Sequence, residues 1–228
     1  MQIAIDGPVA AGKGTVSKLV AKRLGFLYVD TGALYRAISI FCDQNKVKKD
    51  DEMAVQSLIN EKRPVIDLRN PSLAEADGRL CTVTLGDKDI SWEIRTPESS
   101  QGSSLVSRYL CVRDYLLEFQ RELARKYNVV MEGRDIGTFV LPGAEIKIYL
   151  TGKTQVRAKR RMLELQSRGE DFSFEKVVSD IETRDKQDME RPLRPLKKAA
   201  DAIKIDTSDM TIEEVVDVIV KLAKKPKV

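Results

Sequence analysis

Histidine is absent from the 228 residues of the chain. Without imidazole there is no Ser-His-Asp or Cys-His nucleophilic scheme, and no metal centre built on histidine ligands. Cysteine is scarce: Cys42, Cys81 and Cys111 form no C-x-x-C pair, which fits free thiols in a reducing compartment. Aromatic residues make up only 6% of the chain, with no basic–aromatic cluster. That argues against the stacking platform of an RNA-binding protein. No run of about 18 apolar residues exists, so no membrane span is expected. The N-terminus opens on a strand pattern instead of a charged-then-apolar leader, which predicts a cytoplasmic location. A guanine-specific N-K-x-D is missing too: in Asn45-Lys46-Val47-Lys48 a lysine stands where the carboxylate belongs, and no D-x-x-G switch motif occurs.

An apolar share of 42% with 32% charged residues suits a globular enzyme, and the net charge of +4 is too mild to argue for nucleic acid. The length allows one large α/β domain or a core with smaller inserts. The most informative stretch is Gly7-Pro8-Val9-Ala10-Ala11-Gly12-Lys13-Gly14-Thr15, directly after the apolar run Ile3-Ala4-Ile5. A strand that breaks into such a loop and reopens as a helix presents consecutive backbone N–H groups to an anion. Lys13 is placed to reach the β/γ-phosphates of a nucleoside triphosphate, and the hydroxyl that usually follows the lysine sits one place later, at Thr15. Phosphoryl transfer also tolerates the lack of histidine, because it relies on positioning and charge neutralisation. A phosphate monoester, with a second pKa of about 6, arrives as a dianion and needs no strong base. The missing imidazole therefore points to an acceptor that is already a phosphate.

The pattern predicts strands at 2–5, 26–29, 129–131, 146–150 and 202–206, with a helix at about 14–24, a helix opening after Asp30 and a helix at 106–127. Thr211-Ile212-Glu213-Glu214 has capping-box spacing and starts a last helix to about 223. This β–α alternation reads as a doubly wound parallel sheet, with ligands beyond the carboxyl ends of the strands. Between residues 61 and 94 the texture changes: 64–68 and 80–85 look like short strands among turn signals, a β-rich insert. Residues 224–227 read as a frayed tail.

Charged side chains gather around this frame. Arg157, Arg160 and Arg161, with Lys153 one turn earlier, are expected on one face of a helix, either a solvated face or a mobile lid flanked by Gly152 and Gly169. Arg184, Asp188 and Arg191 share another face, as a site or as a surface pair. Glu132 and Asp135, at a strand end, are candidates for orienting Mg²⁺, while Arg134 and Arg36 have the type and position for phosphate. Asp30 reads as a helix cap.

Together, G-P-x-x-A-G-K-G-T, Asp30-Thr31-Gly32-Ala33-Leu34-Tyr35-Arg36, Ile94-Arg95-Thr96, Glu132-Gly133-Arg134-Asp135-Ile136-Gly137-Thr138 and the Arg157-to-Arg161 segment resemble the bacterial-type cytidylate kinases, in order through nearly the whole chain. The resemblance implies a single P-loop kinase domain of the nucleoside monophosphate kinase type. It implies an acceptor-binding region at 31–105, the insert at about 61–94 and a lid at 152–170. The implied reaction moves the ATP γ-phosphate to CMP or dCMP with Mg²⁺. Carried over by position, Gly7, Pro8, Val9, Ala10, Ala11, Gly12, Lys13, Gly14 and Thr15 hold ATP phosphates. Tyr35, Arg36, Arg134 and Arg191 surround the acceptor phosphate, with Thr31 near it. Ser104, Arg113 and Asp135 contact cytosine, Arg184 and Asp188 the sugar, and Arg157 and Arg161 clamp the transferring group. Thr15 and Glu132 are the metal-side residues. Thr31 stands where many relatives have Ser, and Glu132 where Asp is frequent. The expected partners are ATP and the nucleotide alone, with no nucleic acid or membrane, and the expected state is a monomer. The alternatives are a P-loop kinase of UMP, AMP or a shikimate-like metabolite, or a nucleotide-dependent binding protein.

Overall fold

β-Branched and small apolar residues with a phosphate loop behind them build the first strand, and the rest of the fold is arranged about it. The computed structural model describes residues 1–75, 77–167, 169 and 172–224. Residues 168, 170 and 171 of the expected lid segment lie outside this description, as do residues 225–227 of the expected tail. In chain order the elements begin with β1 (Gln2–Asp6), α1 (Lys13–Leu24), β2 (Leu27–Asp30), α2 (Thr31–Gln44) and α3 (Glu52–Lys62). Next come β3 (Ile66–Arg69), β4 (Thr82–Leu85), β5 (Lys88–Asp89), α4 (Pro97–Val106) and α5 (Leu110–Lys126). The last are β6 (Val129–Gly133), β7 (Ile146–Thr151), α6 (Thr154–Gln166), α7 (Phe174–Glu190), β8 (Ile203–Asp206) and α8 (Ile212–Lys224). The chain divides into two compact units, one of Met1–Phe26 with Val130–Val228 and one of Leu27–Val129.

In the first unit the strands lie in the order β6-β1-β7-β8. β1 pairs parallel with β7, Ile3 beside Ile146 and Ile5 beside Ile148, and β7 pairs parallel with β8. A parallel sheet covered on both faces explains why β1 reads as an unbroken apolar run instead of an alternating one. Parallel strands also deliver the segments after β1, β7 and β8 to one edge, where the charged residues of the motifs sit. α1 buries Val16, Val20 and Ala21 and packs along α8, where Arg23 pairs with Glu213 and Asp217. The expected capping box closes: Glu214 accepts from the Thr211 N–H at 2.7 Å and its own N–H donates to Thr211 Oγ1 at 3.3 Å.

The second unit carries the β-rich insert as an antiparallel sheet, β3-β4-β5, with Ile66 opposite Leu85 and Leu68 opposite Val83. Gly86 turns the chain between β4 and β5 with φ 59°. Two helices here escape the sequence reading. α3 follows an Asp51 side-chain cap on Ala54 N–H at 3.0 Å. α4 is a serine-rich stretch of poor helix formers that starts at the Thr96 cap with Pro97 in its first turn. The helix expected at 106–127 is α5, which starts later, at Leu110; Val106 is instead the last residue of α4, and residues 107–109 lie between the two. α4 packs on α2 through Gly102, where a Cβ would lie 2.0 Å from Ser39 Oγ.

The residue that opens the phosphate loop admits no side chain. Gly7 has φ 156°, and a Cβ there would stand 2.1 Å from the backbone oxygen of Leu150 on β7. Gly7→Ala must push strand or loop aside, and is expected to lower the unfolding free energy by about 3 kcal/mol or more. Urea unfolding measures this, and a midpoint matching the parent's would show that the loop gives way freely.

Candidate active site

In the first unit the loop after β1 wraps back on itself. Gly12 caps α1 in the left-handed region at φ 86°, and Ala10 is also left-handed at φ 57°. Left-handed residues of this kind are a feature of backbone turns that cradle anions. Lys13 lies buried under the loop, its Nζ donating to the Pro8 carbonyl at 2.8 Å. Burial lowers its pKa to about 7, helped by the Arg134 charge and opposed by Glu132, Asp188 and Asp6. Thr15 is exposed in the first turn of α1, and Glu132 is buried near the end of β6.

The arginine and carboxylate motifs meet here. Asp188, buried on α7, accepts from Arg134 Nε at 2.6 Å and has Arg184 Nε at 3.7 Å on its other oxygen. Burial pushes its pKa up, but Arg134, then Arg184 and Arg191, more than offset this and hold it below the usual carboxylate range. Arg191, just past the end of α7, points Nη2 at Asp135 Oδ1 at 3.6 Å. Asp188 thus bridges Arg134 and Arg184 and is more than a surface partner of the latter.

The basic face expected on the lid divides among separate partners. α6 starts at Thr154, so Lys153 lies ahead of it and its Nζ is 3.8 Å from Asp209. Arg157 is buried against the phosphate loop, Nη1 donating to the Val9 carbonyl at 2.9 Å and Nε to Gly152 O at 2.9 Å. Arg160 reaches Thr207 after β8, with Nη2 2.6 Å from its carbonyl. Arg161 pairs with Glu164 at 2.8 Å. A cleft of about 280 Å³ opens beside the loop, lined among others by Gly12, Thr15, Arg160, Arg161, Thr207 and Met210. Arg160, Thr207 and Met210 were not singled out as ligand residues. The signal was present in Thr207, which directly follows a strand of a parallel sheet.

The remaining motif residues belong to the second unit. Asp30 caps α2 through the Ala33 N–H at 3.0 Å and also pairs with Arg36 Nη2 at 2.8 Å. Arg36 Nε is buried with no acceptor among the described residues. Thr31 is buried at the start of α2. On α5, buried Arg113 donates Nε to the Ser107 carbonyl at 2.6 Å and sets its guanidinium 5.7 Å from the Tyr35 ring centre. Ser104, on α4, donates to the Ser100 carbonyl at 3.2 Å.

The sequence reading ends the first strand at residue 5 and gives no role to Asp6, which is the last residue of β1. It is buried, and its two oxygens accept from consecutive N–H groups, Ile136 at 2.9 Å and Gly137 at 2.8 Å. One carboxylate so ties the G-R-D-I-G turn to the strand that feeds the phosphate loop. Burial raises its pKa from 3.8 to about 6, opposed by those two hydrogen bonds. A folded value above the unfolded one means a contribution that is complete below pH 3.8 and disappears as pH rises through 6, at most about 3 kcal/mol. Unfolding free energies measured from pH 4 to 7 are expected to fall more steeply for the parent than for Asp6→Asn. Parallel curves would mean that another group titrates.

Comparisons with known proteins identify the family. The cytidylate kinase family model matches residues 3–225. The cytidylate kinase of Lactobacillus johnsonii is 45% identical over 99% of this chain and 94% of its own length. That of a Geobacillus species is 47% identical over 97% of this chain and 96% of its own. A crystal structure of an uncharacterized protein from Eubacterium ventriosum shares the fold, with TM-score 0.53 and 14% identity over 99% of both chains. From the phosphate loop near its start to the last helix, the chain belongs to the cytidylate kinase family.

Proposed function

We propose that this chain transfers the γ-phosphoryl group of ATP to the phosphate of CMP or dCMP, giving ADP and the corresponding diphosphate. The match to the cytidylate kinase model across residues 3–225 carries this assignment. The chemistry needs little covalent work from the protein, so its residues act by placing two polyanions and neutralising their charge.

The Gly7–Thr15 loop and Lys13 hold the ATP phosphates, with Arg157 and Arg161 at the transferring group. The cleft that Arg160 and Met210 help to line takes the adenine, where a planar guanidinium stacks on a base and the methionine packs against it. Arg36, Tyr35, Arg134 and Arg191 bind the acceptor phosphate, with Thr31 near it. The buried Nε of Arg36 supports this role, since a donor without an acceptor is costly until an anion satisfies it. Ser104, Arg113 and Asp135 read the cytosine edge, whose amino donor and ring acceptor suit a carboxylate and an arginine. Asp188, held ionised by Arg134, accepts from a sugar hydroxyl, and Arg184 assists.

Mg²⁺ fits the residues at the loop. Among the described residues no cluster of three His, Cys, Asp or Glu forms a protein cage, and this ion needs none, since it keeps waters and binds through one or two protein groups plus substrate phosphates. The exposed Thr15 hydroxyl and the Glu132 carboxylate are the groups that would hold it. When bound it screens the charge of the β- and γ-phosphates. No helix among the described residues is long and apolar enough to cross a membrane, and we place the enzyme in the cytoplasm as a monomer.

A coupled assay across CMP, dCMP, UMP, AMP and shikimate tests the substrate: CMP and dCMP are expected to lead, and AMP matching CMP would overturn the assignment. Lys13→Ala is expected to lower kcat by about 10²–10³-fold, and near-normal turnover would remove Lys13 from the mechanism. A second measurement reads the charge of Lys13 directly. Its pKa of about 7 leaves much of the amine neutral at pH 8, and a polyphosphate beside it raises that value. ATP binding at pH 8 should therefore take up protons, seen by calorimetry in buffers of different ionisation enthalpy, and the uptake should shrink in Lys13→Ala.

A further inference from the structure

Val9, the third residue of the phosphate loop, is gripped on both sides. Its N–H donates to Asp185 Oδ1 at 3.2 Å, and its carbonyl accepts from Arg157 Nη1 at 2.9 Å. The ring closes through the pair Arg157 Nη2–Asp185 Oδ2 at 2.7 Å. Both peptide planes flanking Val9 are thereby fixed by one carboxylate and one guanidinium. The side chains of this pair are only 6% and 13% exposed, so water does little to screen them.

Two further observations show what the grip holds. Ala10, the next residue, sits at φ 57°, a left-handed conformation that a residue with a Cβ keeps only where its surroundings over-determine it. Val9 and Ala10 also pack against an apolar cluster of Ala158, Leu165, Val177 and Ile181 from α6 and α7. Arg157, in turn, is almost spent. Nε serves Gly152 O, Nη1 serves Val9 O, and Nη2 serves Asp185 and the Thr154 hydroxyl. One N–H of Nη1 is left without an acceptor among the described residues, held at the edge of the loop.

We propose that Asp185 is a positioning residue for phosphoryl transfer: its carboxylate fixes the Val9 peptide and the Arg157 guanidinium, so that loop and cation are preset before ATP arrives. The proposal rests on the reading that this loop holds the ATP phosphates. Asp185 touches no substrate in this account and acts through Val9 and Arg157. Its loss therefore falls on the ATP side of the reaction.

Asp185→Asn keeps the volume and an acceptor for the Val9 N–H but removes the charge that orients Arg157. It is expected to lower kcat/KM for ATP by about 10–100-fold, the range for small misplacement of reacting groups, with KM for CMP within about twofold of the parent. Asp185→Glu, which keeps the charge, should recover part of the loss. In Arg157→Lys the same Asp185→Asn change should cost much less, because both residues act as one unit. Equal losses for ATP and CMP with a lowered melting temperature would reduce Asp185 to a structural role and overturn the proposal. So would additive effects in the double variant, or no effect of Asp185→Asn on ATP. A parent protein that turns over no ATP with CMP would sink the underlying reading instead, and the proposal with it.

Discussion

The buried amine of Lys13 lies close to the half-buried guanidinium of Arg134 in the first unit, and the local structure follows from that constraint. Like charges taken out of water are tolerated only where carboxylates compensate and hydrogen bonds complete the shell. Here Asp188 engages Arg134 directly, while Glu132 and Asp6 favour the charged lysine. Even so, Lys13 is left with a lowered proton affinity. The surroundings of Lys13 thus hold more positive charge than their carboxylates offset, a kind of electrostatics that needs no histidine.

What could be read from the sequence were features written in residue type and short spacing. The strand Ile3–Ile5, the glycines of the loop, the capping box at Thr211 and the turn at Gly86-Asp87 each carry their own local signature. α4 carried only a start signal, Thr96-Pro97, since its serines are poor helix formers and it lies on α2 only because Gly102 leaves room. The boundary near residues 107–109 was hidden for the same reason: apolar periodicity runs through it, and only three-dimensional packing breaks the chain there.

The candidate site divides along a similar line. Residue types announced the arginines and carboxylates, but partnership did not follow from helical spacing alone. Arg157, Arg160 and Arg161 stand within one turn or so of each other, yet they serve Val9, Thr207 and Glu164. Asp188 was visible as a neighbour of Arg184 at i+4, while its shorter contact is with Arg134, far away in sequence. Asp6 and Asp185 were overlooked because each acts on backbone amides, and no side-chain motif records which peptide groups lie opposite a carboxylate.

The serine-rich α4 has a consequence for motion. A helix whose residues prefer turns and caps draws its order from the neighbour it rests on, so its free energy of local opening lies well below that of the sheet. Its amide protons should exchange with solvent early, while those of β1 and β7 persist until the whole unit opens. Ser104 then sits on a helix that opens more readily than the sheet, so the surface around it can adjust its shape at little cost.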